Sequence, residues 1–123
     1  IGVDPSVELH VSGNVACVPS QVQSYVTANA ITVTNAIMRI QGTGNPITLT
    51  STPTIVAGTD GQIVTLQGDS DTNTITLQDE SNLAGSKLQL SGGNDFTFGK
   101  GDTLTLTYDA GDTNWYELSR SDN

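Results

Sequence analysis

Few residues in this chain could do chemistry, and their spacing limits what they could do. His10 is the single imidazole and Cys17 the single thiol. A nucleophilic triad needs a nucleophile, a base and an orienting acid. Nothing in the sequence sets a geometry for a Cys17/His10 pair, and zinc would need further ligands that the two do not supply. His10 alternates with Leu9 and Val11 beside Glu8, the pattern of a solvated strand residue. Cys17, between Ala16 and Val18, is expected to be a small buried apolar residue, and a lone cysteine makes no internal disulfide. Asp69-x-Asp71-x-Asn73 places three oxygen ligands at alternate positions, like the first half of a calcium loop. The glycine that should follow Asn73 is Thr74, and the twelfth position, Glu80, lies beyond an intervening strand. Asp109-x-x-Asp112-x-Asn114 is a weaker version of the same idea. Both clusters are more simply turns whose acids cap their own backbone, and no metal and no cofactor is expected.

Paired carboxylates could in principle hydrolyse glycosides, since 13 acids are present. Six aromatics scattered along the chain make a poor sugar cleft, and no glycine-rich phosphate loop opens a helix. The chain is therefore expected not to be an enzyme. Sugar binding without catalysis is the sharper option. Tyr108, Trp115 and Tyr116 offer aromatic faces, with Asp109, Asp112 and Asn114 as oxygen acceptors beside them. Alternation puts Trp115 and Tyr116 on opposite faces of one strand, so the competing account packs Trp115 inside as an anchor.

The elements that would position these groups are strands. The 123 residues are 35% hydrophobic and only 14% charged, with polarity carried by Thr, Ser, Asn, Gln and 13 Gly. From Ile47 onward the period-2 signal repeats: Ile47–Thr50, Thr54–Val56, Ile63–Leu66, Thr74–Leu77, Lys87–Leu90, Phe96–Phe98, Thr103–Tyr108 and Trp115–Leu118. Turn residues such as Gly58-Thr59-Asp60-Gly61 and Asp109-Ala110-Gly111-Asp112 separate them. Eight short strands at this spacing predict an antiparallel sandwich, barrel or β-prism. Uneven leucine intervals weigh against a strict solenoid. Before Gly44 the segments are shorter, with strands over Ile31–Thr34 and Ala36–Gln41, and Pro19–Asn29 admits a short helix with Val22, Tyr25 and Val26 on one face.

The net charge of −9 excludes nucleic acid and anionic membrane surfaces as partners, because no basic patch exists to displace counterions. No stretch approaches the ~20 apolar residues that cross a bilayer. No signal peptide is expected from the opening residues, and since they begin without Met, a fragment of something longer is expected. Only two lysines are available to blunt sheet edges. A thin aromatic core points the same way: the missing burial would come from partner chains, with a monomeric sandwich as the alternative.

The opening, Ile1-Gly2-Val3-Asp4-Pro5-Ser6-Val7-Glu8-Leu9-His10-Val11-Ser12-Gly13-Asn14, resembles a repeat of phage-type tail-fibre shafts and related bacterial fibre proteins. Gly61-Gln62-Ile63-Val64-Thr65-Leu66, Asn73 to Asp79, Leu88-Gln89-Leu90-Ser91-Gly92 and Gly101 to Leu106 follow in order. With the closing Asn114-Trp115-Tyr116-Glu117-Leu118-Ser119-Arg120-Ser121, they resemble the C-terminal head of such fibres. The shaft unit appears once rather than in series. The resemblance implies an all-β homotrimer, with an interwoven stem over 1–44 and an antiparallel sandwich or prism head over 45–123. Ile31, Val33, Ile37 and Ile40 would then face partner chains. It implies attachment in a virion or extracellular setting, with cell-surface polysaccharide as a candidate partner. Two alternatives stand beside it: a capsid decoration or other virion structural protein without a receptor, and a secreted bacterial carbohydrate-binding module.

Overall fold

The computed structural model describes residues 11–123; His10 and most of the shaft-like unit lie outside them. The described chain is almost wholly β, its one helical element being a 3-10 turn at Ser91–Gly93. The strands are β1 (Gln23–Tyr25), β2 (Ile37–Gly42), β3 (Ile47–Thr48), β4 (Ile63–Gly68), β5 (Ile75–Leu77), β6 (Leu88–Gln89), β7 (Phe96–Phe98), β8 (Thr103–Asp109) and β9 (Asn114–Ser121). A six-stranded sheet runs β1-β2-β4-β8-β9-β6 and a three-stranded sheet runs β3-β5-β7.

The early ladders are parallel, not antiparallel. β1 pairs with β2, β2 with β4 and β3 with β5, all in parallel, and Ile31 bridges Ile55 in the same sense. Backbone bonds from Thr50 N to Thr27 O and from Thr54 N to Ser86 O, 2.9 and 3.0 Å, extend two of these stacks. The chain thus winds through three successive faces and returns, each turn lying on the one before. Turns of unequal length, as in Gln23↔Ile40 against Ile37↔Thr65, explain the uneven leucine intervals. Alternation of apolar residues with threonine is the same in either strand direction, so period 2 alone could not choose between them.

The last third closes the coil by reversing it. β7 runs antiparallel to β5, and β8 antiparallel to β4. β9 returns as a hairpin on β8 and meets β6 in parallel, which curls the large sheet round. A register shift beside Thr105 and Leu106 leaves Leu118 as the extra residue of a bulge in β9, and it projects into solvent.

Inward side chains stack in rows across these ladders. Met38, Leu66 and Leu104 are successive cross-strand partners, as are Ile75 with Phe98 and Leu88 with Trp115, and all are buried. Phe96 and Phe98 meet edge to face at 4.7 Å. Outward positions carry threonine pairs, Thr65 with Thr105 at 3.0 Å and Thr76 with Thr97 at 2.7 Å.

Several expectations change. Pro19–Asn29 forms no helix: its middle is β1, whose amides find partners in β2, while only Tyr25 of the supposed apolar face is buried. Cys17 is exposed, since Ala16 and Val18 beside it pack on nothing either. The large sheet crosses the expected boundary at residue 44, because β1 and β2 join β4. Ile31 and Ile40 are fully buried in the single chain and have no surface left for a partner; Val33 and Ile37 remain half-buried.

Close packing between turns leaves no room at Gly68, where an added Cβ would stand 1.9 Å from the Gly99 carbonyl oxygen and 2.9 Å from Phe98 Cβ. Backbone cannot swing aside like a side chain. Gly68→Ala should lower stability by about 2–3 kcal/mol, measured by urea unfolding. An unchanged midpoint would show that the turns do not stack as closely as described.

Candidate functional site

The residues expected to bind sugar gather at one end of the β8–β9 hairpin, but they do not form one surface. Tyr108 and Trp115 are directly opposite each other in the ladder and point inward, with ring centroids 5.0 Å apart. Trp115 is fully buried, and its indole N–H donates to the Val56 carbonyl at 3.2 Å. Gly58 lies against the indole, where a Cβ would come within 2.8 Å of it. Trp115 is therefore the anchor holding the reversed strands to the coil, and it offers no face to a ligand. Tyr116 points the other way, is exposed, and donates its phenol proton to Asp112, which holds that phenol above its usual pKa. Asp109 accepts the Gly111 amide at 2.8 Å within its own turn, and Asn114 sits opposite it in the ladder.

The supposed calcium residues are likewise structural. Asp71 accepts the Lys100 amide at 2.8 Å, and Ser70 Oγ accepts the amides of Thr72 and Asn73. Asp69 carries a main-chain bond to Ile40. The Asn73 carbonyl accepts the Gly42 amide at 2.8 Å, so each of the three residues ties one turn to another through a different partner.

A denser set of carboxylates, which the sequence reading missed, locks the long connection between β5 and β7. Asp79 accepts the Leu90 amide at 2.7 Å on one oxygen, and the Ser81 amide and hydroxyl at 2.8 and 2.7 Å on the other. Burial works against its ionisation, yet these bonds outweigh burial and hold its pKa below the usual value. Glu80 accepts the amides of Gly85 at 2.8 Å and Lys87 at 2.7 Å, which lowers its pKa, with Lys87 a lesser electrostatic contributor. Asp95 accepts the Asp79 amide at 2.8 Å. Glu117 is held low chiefly by Arg120, bound at 2.6 and 2.7 Å, and also takes the Ser91 amide at 2.6 Å. Arg120 in turn lies over the Phe96 ring at 4.9 Å. A functional cue was present in the sequence, the run Gln78-Asp79-Glu80-Ser81-Asn82, but its residue types equally fit a solvated turn.

Glu80 and Trp115 together impose an unusual backbone. Lys87 has φ 63° and Thr113 φ 61°, the left-handed region that costs an ordinary residue about 1–3 kcal/mol. Glu80 fixes the Lys87 amide, while the Lys87 carbonyl accepts the Trp115 amide at 2.8 Å. Both strained residues line the same cleft, with Pro53, Ile55, Ala57 and Tyr108. Residue type did not point to it, because glycine or asparagine is what such a backbone usually selects.

Asp79, Glu80 and Glu117 release their protons more readily folded than unfolded. Their contribution is complete above the unfolded carboxyl pKa of about 4 and is lost as pH falls through that value to the depressed folded ones. In about 0.5 M salt, where repulsion among the acids is screened, the thermal midpoint should fall steadily below about pH 4.5. Glu80→Gln turns one acceptor into a donor facing an amide. It should lose about 1 kcal/mol at neutral pH, discounted for partial exposure, and show a shallower acid limb. A pH-independent midpoint would refute the role of these carboxylates.

No protein-family model and no curated protein matches this chain. Among solved structures it is similar to part of one described as "Structure of a chaperone-substrate complex", at 14% identity and a TM-score of 0.48. The match covers 82% of this chain, which spans 18% of the length of that one.

Proposed function

We propose that the chain is a non-enzymatic structural and attachment segment of a viral or phage-derived fibre. It assembles as a homotrimer through its N-terminal stretch and works in a virion or extracellular setting. One observation carries this reading. Val11, Val15, Val18, Val22 and Val26 are 43, 69, 77, 40 and 49% exposed, all in the stretch that leads into and past β1. Among the described residues β1 is also an open edge of the large sheet. An uncovered row of aliphatic side chains beside an unpaired edge is the feature that partner chains relieve. Copies of the same valine-bearing stretch, wound round one axis, would bury it and form the stem, with the three-sided coil as the head. Val33 and Ile37 remain available to such contacts.

The alternative of a virion knob without a receptor gains from one finding. Burial takes Trp115 away from any sugar and leaves Tyr108 only the part that lines a cleft, so the one exposed aromatic face of the three is Tyr116 beside Asp112. A glycan array distinguishes the two: bound host-surface polysaccharide, lost on Tyr116→Ala, supports attachment, and an empty array supports the passive knob.

Sedimentation equilibrium at micromolar concentration should give a trimer. Val15→Asp combined with Val18→Asp should dissociate it while leaving the far-UV β signal intact, because neither side chain belongs to the core. A monomeric parent would overturn the fibre reading and favour a carbohydrate-binding module. A double variant that stays trimeric would move the interface elsewhere.

A further inference from the structure

The cleft lined by Pro53, Ile55, Ala57, Tyr108, Lys87 and Thr113 holds about 170 Å³ and is almost wholly apolar. Its residues come from two turns of the coil and from the β8–β9 hairpin, so it exists only once the reversed strands are docked. Its volume suits one six-membered ring. An apolar space of this kind holds water loosely, and a ring with a hydrophobic face displaces it favourably. The polar element is a cation. The protein carries −9 with four cationic side chains, and one of those four stands at this cleft. Among the described residues the direct ion pair is Arg120 with Glu117, while Lys87 acts on the Glu80 carboxylate as a lesser, longer-range charge. The nearby carboxylates are already engaged: Glu80 holds the amides of Gly85 and Lys87, and Asp112 takes the Tyr116 phenol proton. The backbone of Lys87 is fixed from both sides, by Glu80 at its amide and by the Trp115 amide at its carbonyl. The Lys87 side chain thus rises from a backbone held at both ends and forms part of the cleft wall.

We propose that this cleft binds a single ring with an apolar face and one carboxylate, the carboxylate meeting Lys87. One lysine without surrounding amide donors suits a monoanion and not a phosphate, which calls for several donors. Two sources share this chemistry: a uronic-acid residue of a polysaccharide and a free aromatic acid. The cleft lies within one chain, so the trimer measurement and the binding measurement succeed or fail separately.

The test is amide NMR titration of the intact chain with glucuronate and with benzoate, against glucose and benzyl alcohol as neutral counterparts. Saturable shifts at Ala57, Lys87 and Thr113 are expected for at least one acid, with a dissociation constant of roughly a millimolar. The matching neutral compound should bind about tenfold more weakly or not at all. Saturation by glucuronate assigns the site to polysaccharide; saturation by benzoate alone assigns it to a free aromatic acid. Lys87→Asn keeps the left-handed backbone accessible and removes the charge, so it should weaken binding about tenfold with an unchanged spectrum elsewhere. Ala57→Leu, at an exposed position, should fill the cleft and abolish binding by either acid. No saturation by either acid, equal binding of acid and neutral ring, or an undiminished affinity in Lys87→Asn would each overturn the proposal.

Discussion

The constraint on which this structure depends is the satisfaction of main-chain amides in connections too irregular to satisfy themselves. A coil of short parallel strands spends much of its length outside ladders, and each turn leaves N–H groups facing its neighbours. Partly buried amides without acceptors would cost more than the short strands return. Here the acceptors are carboxylates. Asp79 binds Leu90 and Ser81, Glu80 binds Gly85 and Lys87, Asp71 binds Lys100, Asp102 binds Gly99 and Asn123, and Glu117 binds Ser91. Among the described residues no buried side-chain nitrogen or oxygen lacks a partner. The acidity of the chain is therefore in large part architectural.

That requirement also explains how the coil ends. Continuing in parallel would need another long connection with its own set of acceptors. The chain instead turns back after β6: β7 lies antiparallel on β5, and β8 and β9 form a hairpin on β4, with short loops between them. Antiparallel pairing satisfies amides within the ladder, and Trp115 of β9 bonds across to the Val56 carbonyl. The two ends of the molecule thus differ in kind. One carries a hairpin and an aromatic anchor; the other, among the described residues, has the short edge strand β1 with valines exposed beside it.

Much of the strand content was legible because threonine and β-branched aliphatics alternate: β5, β7 and β8 fall within a residue of their sequence boundaries, and β4 runs two residues further, to Gly68. Strand direction was not legible. Met38, Leu66 and Leu104 would alternate identically in a hairpin, and only the offsets between ladder partners show that β2 and β4 run together while β8 opposes them. Thr54–Val56 looked like a strand but contributes only the bridge at Ile55. Pro19 and the valines at 22 and 26 suggested a helical face, whereas long-range pairing of Gln23–Tyr25 decided the matter. At the candidate site, opposite placement of Trp115 and Tyr116 followed from alternation. The cleft did not, since Lys87 and Thr113 adopt a backbone their side chains disfavour.

The strain at those two residues connects the architecture to the chemistry. Lys87 keeps its conformation because Glu80 grips its amide and the β6–β9 ladder grips its carbonyl; Thr113 keeps its own because the hairpin must turn before Trp115 enters the core. Relaxing either residue would mean withdrawing β9 from β6. The same docking that caps the coil therefore brings Lys87 and Thr113 to Pro53, Ile55 and Ala57, and leaves a slot that none of these side chains fills. A longer or more flexible residue at Ala57 would close that slot without disturbing the anchor, because Ala57 is exposed and Trp115 bonds to the carbonyl of its neighbour Val56. The cleft is thus separable from the stability of the fold, and its contents can be altered while the coil and its cap remain in place.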